Sequence, residues 1–191
     1  ARKLYDAAAT KRAEEALAKN SGSVKGLDGG EWIELPQGDT PDVIAYWRAL
    51  SNPSWCTSRG NEAIYAPKGP MWVYRKNGES LLAILFQNGQ VDQIQSPKNN
   101  GTIPAEYVNE VKNFTSQVPM SSKAKRTILQ AEQEALNLAK LMDMAEPGAK
   151  FDADGFIELK DGTLGFKGSL RVSAYSSNID RFEIVSFITG D

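Results

Sequence analysis

Histidine is missing from this chain altogether, and cysteine occurs once, at Cys56. Without histidine, neither a Ser-His-Asp nor a Cys-His catalytic set can be assembled within the chain. A single thiol excludes an intrachain disulfide, and one cysteine with no histidine leaves no ordinary zinc site. No apolar run approaches the ~20 residues that a helical membrane span needs, so no membrane partner is expected. There is no Walker loop, no Gly-x-Gly-x-x-Gly after a strand and no defensible spacing of paired carboxylates. No cofactor and no metal are expected from such an inventory. The net charge of −2 over 191 residues supplies no overall attraction to nucleic acid or anionic lipid. The opening "ARKLYDAAATKRAEEALAKN" has no apolar centre of the kind that marks a secretory leader, which points to the cytoplasm.

What the chain does contain predicts an α+β protein. Residues 1–22 read as an N-terminal helical arm, rich in Ala, Glu, Lys and Arg and stopped by "NSG". Gly22 to Gly30 reads as a linker, and "EWIEL" (31–35) as a short strand ended by Pro36. In "DTPDVIAYWRAL", Thr40 is the expected N-cap and Pro41 opens a helix with Val43, Ile44, Tyr46, Trp47 and Leu50 on one face. The clearest signal is "PMWVYRK", Asn77-Gly78, "SLLAILFQ", Asn88-Gly89, "VDQIQ". Asn-Gly suits tight hairpin turns because both positions tolerate positive φ, so a three-stranded antiparallel meander follows. Its middle strand is apolar on both faces and should be covered on both sides, the meander packing against amphipathic helices. Helices are expected after Pro104 and from Ser121 or Ser122 to about Met144. The body of the protein is thus placed at 23–148, and 149–191 is expected to form a small, strand-rich antiparallel segment.

Several positions invite chemistry, each with a plainer reading beside it. Cys56 would act as a nucleophile only if its surroundings favoured the thiolate, and Arg59 is the nearest cation in sequence. Otherwise it is a small buried residue in a turn, shielded by Trp55, with Thr57 and Ser58 satisfying turn amides. The loop "SPKNNG" brings Lys98, Asn99 and Asn100 ahead of a helix, either to hold an anion or to reverse the chain through Asx-turns. "FDADGFIELKD" fails as a calcium loop, because Lys150 takes the first ligand position and Asp161 the place of the bidentate Glu; a plain turn is expected. "SSKAKR" (121–126) sets basic residues at the unfavourable end of a helix, either solvated or facing a phosphate-bearing partner. Trp32, Trp47, Trp55 and Trp72, with Tyr65 and Tyr74, are candidates either for a base-stacking platform or for a core shared with one partner-facing patch.

Trp32, "LSNPSWCTSRGNEAIY" (50–65), "GPMWVY" (69–74) and "IQSPKNNGTIPAEY" (94–107) together resemble a poorly characterised domain of bacterial and bacteriophage proteins. That domain carries a Trp-Cys-Thr element, a glycine before a hairpin and a K-N-N-G-x-I-P-x-x-Y stretch; more remotely it is similar to PcfJ-like plasmid proteins. The resemblance spans about residues 31–115. It implies Trp55, Cys56, Thr57, Tyr65, Gly69, Lys98, Asn99, Asn100, Gly101 and Pro104 as defining positions, and it implies no reaction. It also admits a location within a phage particle. The reading that follows is a non-enzymatic binding or assembly domain that meets a protein partner or further copies of itself. Its binding positions are taken as Trp55, Thr57, Arg59, Asn61, Tyr65, Lys98, Asn99 and Asn100. Two alternatives stand beside it: a thiol-dependent acyl- or group-transfer enzyme, with Cys56 as nucleophile and Asn61, Tyr65 or Asn99 polarising a carbonyl, and a binder of single-stranded nucleic acid.

Overall fold

The structure, a computed structural model, describes residues 22–97 and 102–167. The helical arm expected at 1–22 therefore lies almost wholly outside the described residues, as do Lys98, Asn99, Asn100, Gly101 and everything from 168 onward. The chain divides into two compact units, Ala1–Ala131 and Glu132–Asp191.

The first unit is built on a five-stranded antiparallel sheet in sequential order. Its strands are β1 (Ser23–Lys25), β2 (Glu31–Leu35), β3 (Met71–Lys76), β4 (Glu79–Gln87) and β5 (Gln90–Gln95). The meander forms as the turn chemistry requires. Asn77 and Asn88 sit at φ 53° and 51°, followed by Gly78 and Gly89 at 81° and 73°. The linker expected at 22–30 is instead a hairpin, for Ser23–Lys25 pairs with Glu31–Ile33 through Val24 opposite Trp32. Three residues with one apolar side chain carry no readable alternation; the neighbouring strand supplies the pairing.

Register assigns the two faces. Ile33, Leu35, Met71, Val73, Ala83 and Leu85 form one, packed against α1 (Pro41–Leu50) and the segment that follows it, with Tyr46, Trp47, Leu50, Trp55 and Ala66 completing the cluster. Helix α1 begins where Thr40 Oγ1 accepts the Val43 amide at 3.4 Å, and Trp47 Nε1 donates to the Pro36 carbonyl at 2.9 Å. Trp32, Tyr74, Leu82 and Ile84 point to the other face, where Phe114 of α3 (Val108–Thr115) stacks on Trp32 with ring centroids 4.2 Å apart. The middle strand of the meander is thus covered on both sides, which its unbroken apolar run requires. Beyond α3, residues 119–121 pair with the outer edge of β5 through Val91, and the Ser121 hydroxyl accepts the Ala124 amide to start α4 (Ser122–Met144).

The second unit contains β6 (Phe156–Glu158) and β7 (Leu164–Phe166), a small antiparallel pair, with Leu141, Ala145, Ile157 and Leu159 as its core. The division between units falls inside α4, upstream of the turn at 146–150. Asp152 Oδ1 accepts the amides of Asp154 and Phe156, so this carboxylate ties a turn together. Among the described residues no cluster of acidic and thiol ligands forms a metal site, and no helix is long and apolar enough to cross a membrane.

Candidate functional site

Two concave regions stand out in the first unit, on opposite faces of the sheet. One surrounds Cys56. The loop between α1 and α2 (Glu62–Tyr65) has little regular structure, so its side chains carry the ordering. Asn52 Nδ2 donates to the Ser80 carbonyl at 3.0 Å while its Oδ1 accepts the Ser54 amide. The Ser58 hydroxyl donates to the Asn52 and Trp55 carbonyls, and Trp55 Nε1 reaches the Ser96 carbonyl at 2.8 Å. The loop is thereby fastened to β4 and to the end of β5. Trp55 and Thr57 are its inward residues, exposed to 1% and 0%.

Cys56 lies between them and turns the other way. It is half-buried; the Trp55 indole belongs to the core, and the sulfur meets the end of β5. Gln95 Nε2 donates to Cys56 Sγ at 3.2 Å. Interaction with the same sulfur, and after it burial, raises the Tyr65 phenol's pKa above its ordinary value. The sulfur opens on a small polar cavity of about 150 Å³ lined also by Asp92, Gln93, Lys123 and Thr127. Asn61 Nδ2 donates to the Cys56 carbonyl at 3.0 Å, and its side chain does not cap α2. Arg59 occupies a left-handed position at φ 59° and is exposed.

The second region is an aromatic cleft of about 400 Å³ on the α3 face, lined by Val24, Lys25, Trp32, Trp72, Phe86, Asn113, Phe114 and Val118. Its floor is held by a buried carboxylate. Glu110, exposed to 3%, accepts Trp32 Nε1 at 2.6 Å through Oε1 and the Leu27 amide at 2.7 Å through Oε2. One side chain on α3 thus fixes the Trp32 indole and the β1–β2 turn together. The turn is further tied by Asp28, which accepts from Lys76 Nζ at 2.8 Å and from the Tyr74 hydroxyl. The Lys76 hydrogen bond, helped by the Gly30 amide and the ammonium charge, lowers the Asp28 pKa despite some desolvation. Val24 and Lys25 remain exposed at the rim, while Trp72, Phe86 and Phe114 are half-buried.

The sequence-chosen positions are thus only partly united. Cys56, Tyr65 and Asn61 come together; Trp55 and Thr57 are buried supports with no surface to offer a partner. Trp32, Trp47 and Trp55 are all covered, which leaves Trp72 as the tryptophan available for stacking. Gln95, Glu110 and Phe114 were not singled out from the sequence. Gln95 meets Cys56 across 39 residues and Glu110 meets Trp32 across 78, so no local pattern announces either. Compared with protein-family models, curated proteins and solved structures, the chain matches none of them.

Proposed function

We propose that this is a binding or assembly domain whose recognition surface is the aromatic cleft beside β1. Its occupant is an extended segment of a partner protein that inserts one large apolar or aromatic side chain. The observation that carries this reading is a half-open cavity of about 400 Å³ walled by Trp72, Phe86 and Phe114 over a rigidly held Trp32. A volume of that order falls at the lower end of what small-ligand pockets enclose, and aromatic walls favour a ring through stacking. The rim supports the choice of an extended segment. Among the described residues no strand pairs with the outer edge of β1, and Val24 and Lys25 lie on that strand beside the cleft. Strand addition would engage the amides and carbonyls on that edge while side chains choose the partner. Lys25 supplies a positive rim that complements an acidic flank on the incoming segment.

Titration with N-acetyl-phenylalaninamide, followed by amide and indole resonances, tests the reading. Saturable shifts at Trp72, Val24, Lys25 and Asn113 are expected, with N-acetyl-alaninamide at least several-fold weaker and Phe114→Ala reducing the response. Equal behaviour of the two amides, or shifts centred elsewhere, would overturn it.

A further inference from the structure

The hydrogen-bond ladder between β1 and β2 fixes which backbone groups the outer edge of β1 offers. Gly26 N donates to the Gly30 carbonyl at 2.8 Å, and Glu34 N to the Gly22 carbonyl at 3.2 Å. Hydrogen-bonded pairs in an antiparallel ladder recur at every second residue, so Val24 directs its amide and carbonyl to Trp32 opposite. The amides and carbonyls of Ser23 and Lys25, one residue to either side, therefore point away from β2. Directly opposed residues turn their side chains to the same face. Val24 shares a face with Trp32, the face of the aromatic cleft, so an incoming residue opposite Val24 points there too. Lys25 borders the cleft by its place on the strand, but its register puts it in the row Lys25–Glu31–Arg75 on the other face. That row alternates in sign, and among the described residues no ion pair joins Lys25 to Glu31. A carboxylate opposite Lys25 extends the alternation outward, whereas a like charge there is repelled.

Resting on the cleft reading above, we propose that the partner's segment carries a directional three-residue motif, an acidic residue, then an aromatic one, then any residue, added antiparallel to β1. In that sense the residue before the aromatic one lies opposite Lys25 and the residue after it opposite Ser23. The acidic residue's amide donates to the Lys25 carbonyl and the last residue's amide to the Ser23 carbonyl. The aromatic residue's own amide faces away from β1 while its ring enters the cleft. Ser23 lies across from Ile33 and sets no charge requirement on its partner. The antiparallel sense continues that of the sheet, whose pairings are all antiparallel, and it is the slightly more stable one per residue. β1 is three residues long and lies between Gly22 and Gly26, which limits the motif to three residues.

The test titrates the full chain with N-acetyl-Glu-Phe-Ala-amide and with the reversed order, N-acetyl-Ala-Phe-Glu-amide, followed at the Trp72 indole resonance. The first is expected to bind about threefold more tightly, the scale of one opposite-charge cross-strand pair. Lys25→Gln, a change at an exposed position, should erase that preference. N-methylation of the alanine amide should weaken binding about fivefold, the scale of one backbone hydrogen bond, and N-methylation of the phenylalanine amide much less. Equal affinity of the two orders, a reversed preference, or equal sensitivity to the two methylations would overturn the motif. In each of those cases saturable binding of N-acetyl-phenylalaninamide would leave the cleft reading standing. Failure of N-acetyl-phenylalaninamide itself would overturn the cleft reading and the motif with it.

Discussion

Replacing Glu110 by Gln changes almost no volume, yet it should be among the more damaging conservative changes in the first unit. Both carboxylate oxygens accept, one from Trp32 Nε1 at 2.6 Å and the other from the Leu27 amide at 2.7 Å. An amide has one oxygen and one NH₂, so one donor would then face another donor in a buried place. Losing a charge-assisted bond and stranding a buried N–H costs roughly 2–4 kcal/mol in all. With a urea dependence of about 1–3 kcal/mol per molar, the denaturation midpoint should fall by roughly 1 M or more at unchanged slope. Trp32 lies on the cleft wall, so the same variant should also weaken binding of N-acetyl-phenylalaninamide. Urea unfolding followed by tryptophan fluorescence measures the first effect directly. A midpoint within experimental error of the parent would refute the claim that Glu110 anchors α3 to the β1–β2 hairpin.

Other perturbations give sharp expectations. Gly69→Ala should destabilise strongly, by at least ~1–3 kcal/mol, because a Cβ there would meet the Phe86 carbonyl oxygen at 1.8 Å; calorimetry of the variant would show it. Asp28 has a folded pKa lowered chiefly by Lys76, so its contribution is present above the unfolded value of about 3.9 and is lost as pH falls through the lower folded value. Asp28→Asn should therefore flatten the acid limb of the stability–pH curve, with little change in its shape near neutrality. Glu62 is exposed to 1% with no hydrogen-bond donor on either oxygen and only the largely exposed Arg48 at 3.6 Å, so Glu62→Gln should leave stability unchanged or raise it by about 1 kcal/mol in chemical denaturation.

The meander and α1 were legible in the sequence because their signals are local. Asn77-Gly78 and Asn88-Gly89 dictate hairpins by backbone sterics alone, and Thr40 with Pro41 starts a helix within three residues. The hairpin at 23–35 was not legible, since β1 takes its conformation from β2 and contributes a single apolar side chain of its own. The Trp-Cys-Thr loop was half legible. Its residue types mark a special turn, but tertiary packing decides which side chains go inward, and that buries Trp55, Thr57 and Ser58 while leaving Cys56 half-buried. Gln95 illustrates the remainder: "VDQIQ" reads as an ordinary strand, and only pairing of Gln95 with Ala83 aligns its amide with a sulfur on a distant loop. The aromatic cleft likewise draws Val24, Trp72, Phe86 and Phe114 from four separate segments, a convergence that periodicity does not encode.

The most direct test of the central claim is an intermolecular nuclear Overhauser measurement on the complex with N-acetyl-phenylalaninamide. Cross-peaks are expected from the probe's ring protons to the Trp72 indole, the Phe114 ring and the Val24 methyls. Cross-peaks to residues outside the cleft, or none at saturating probe, would contradict it.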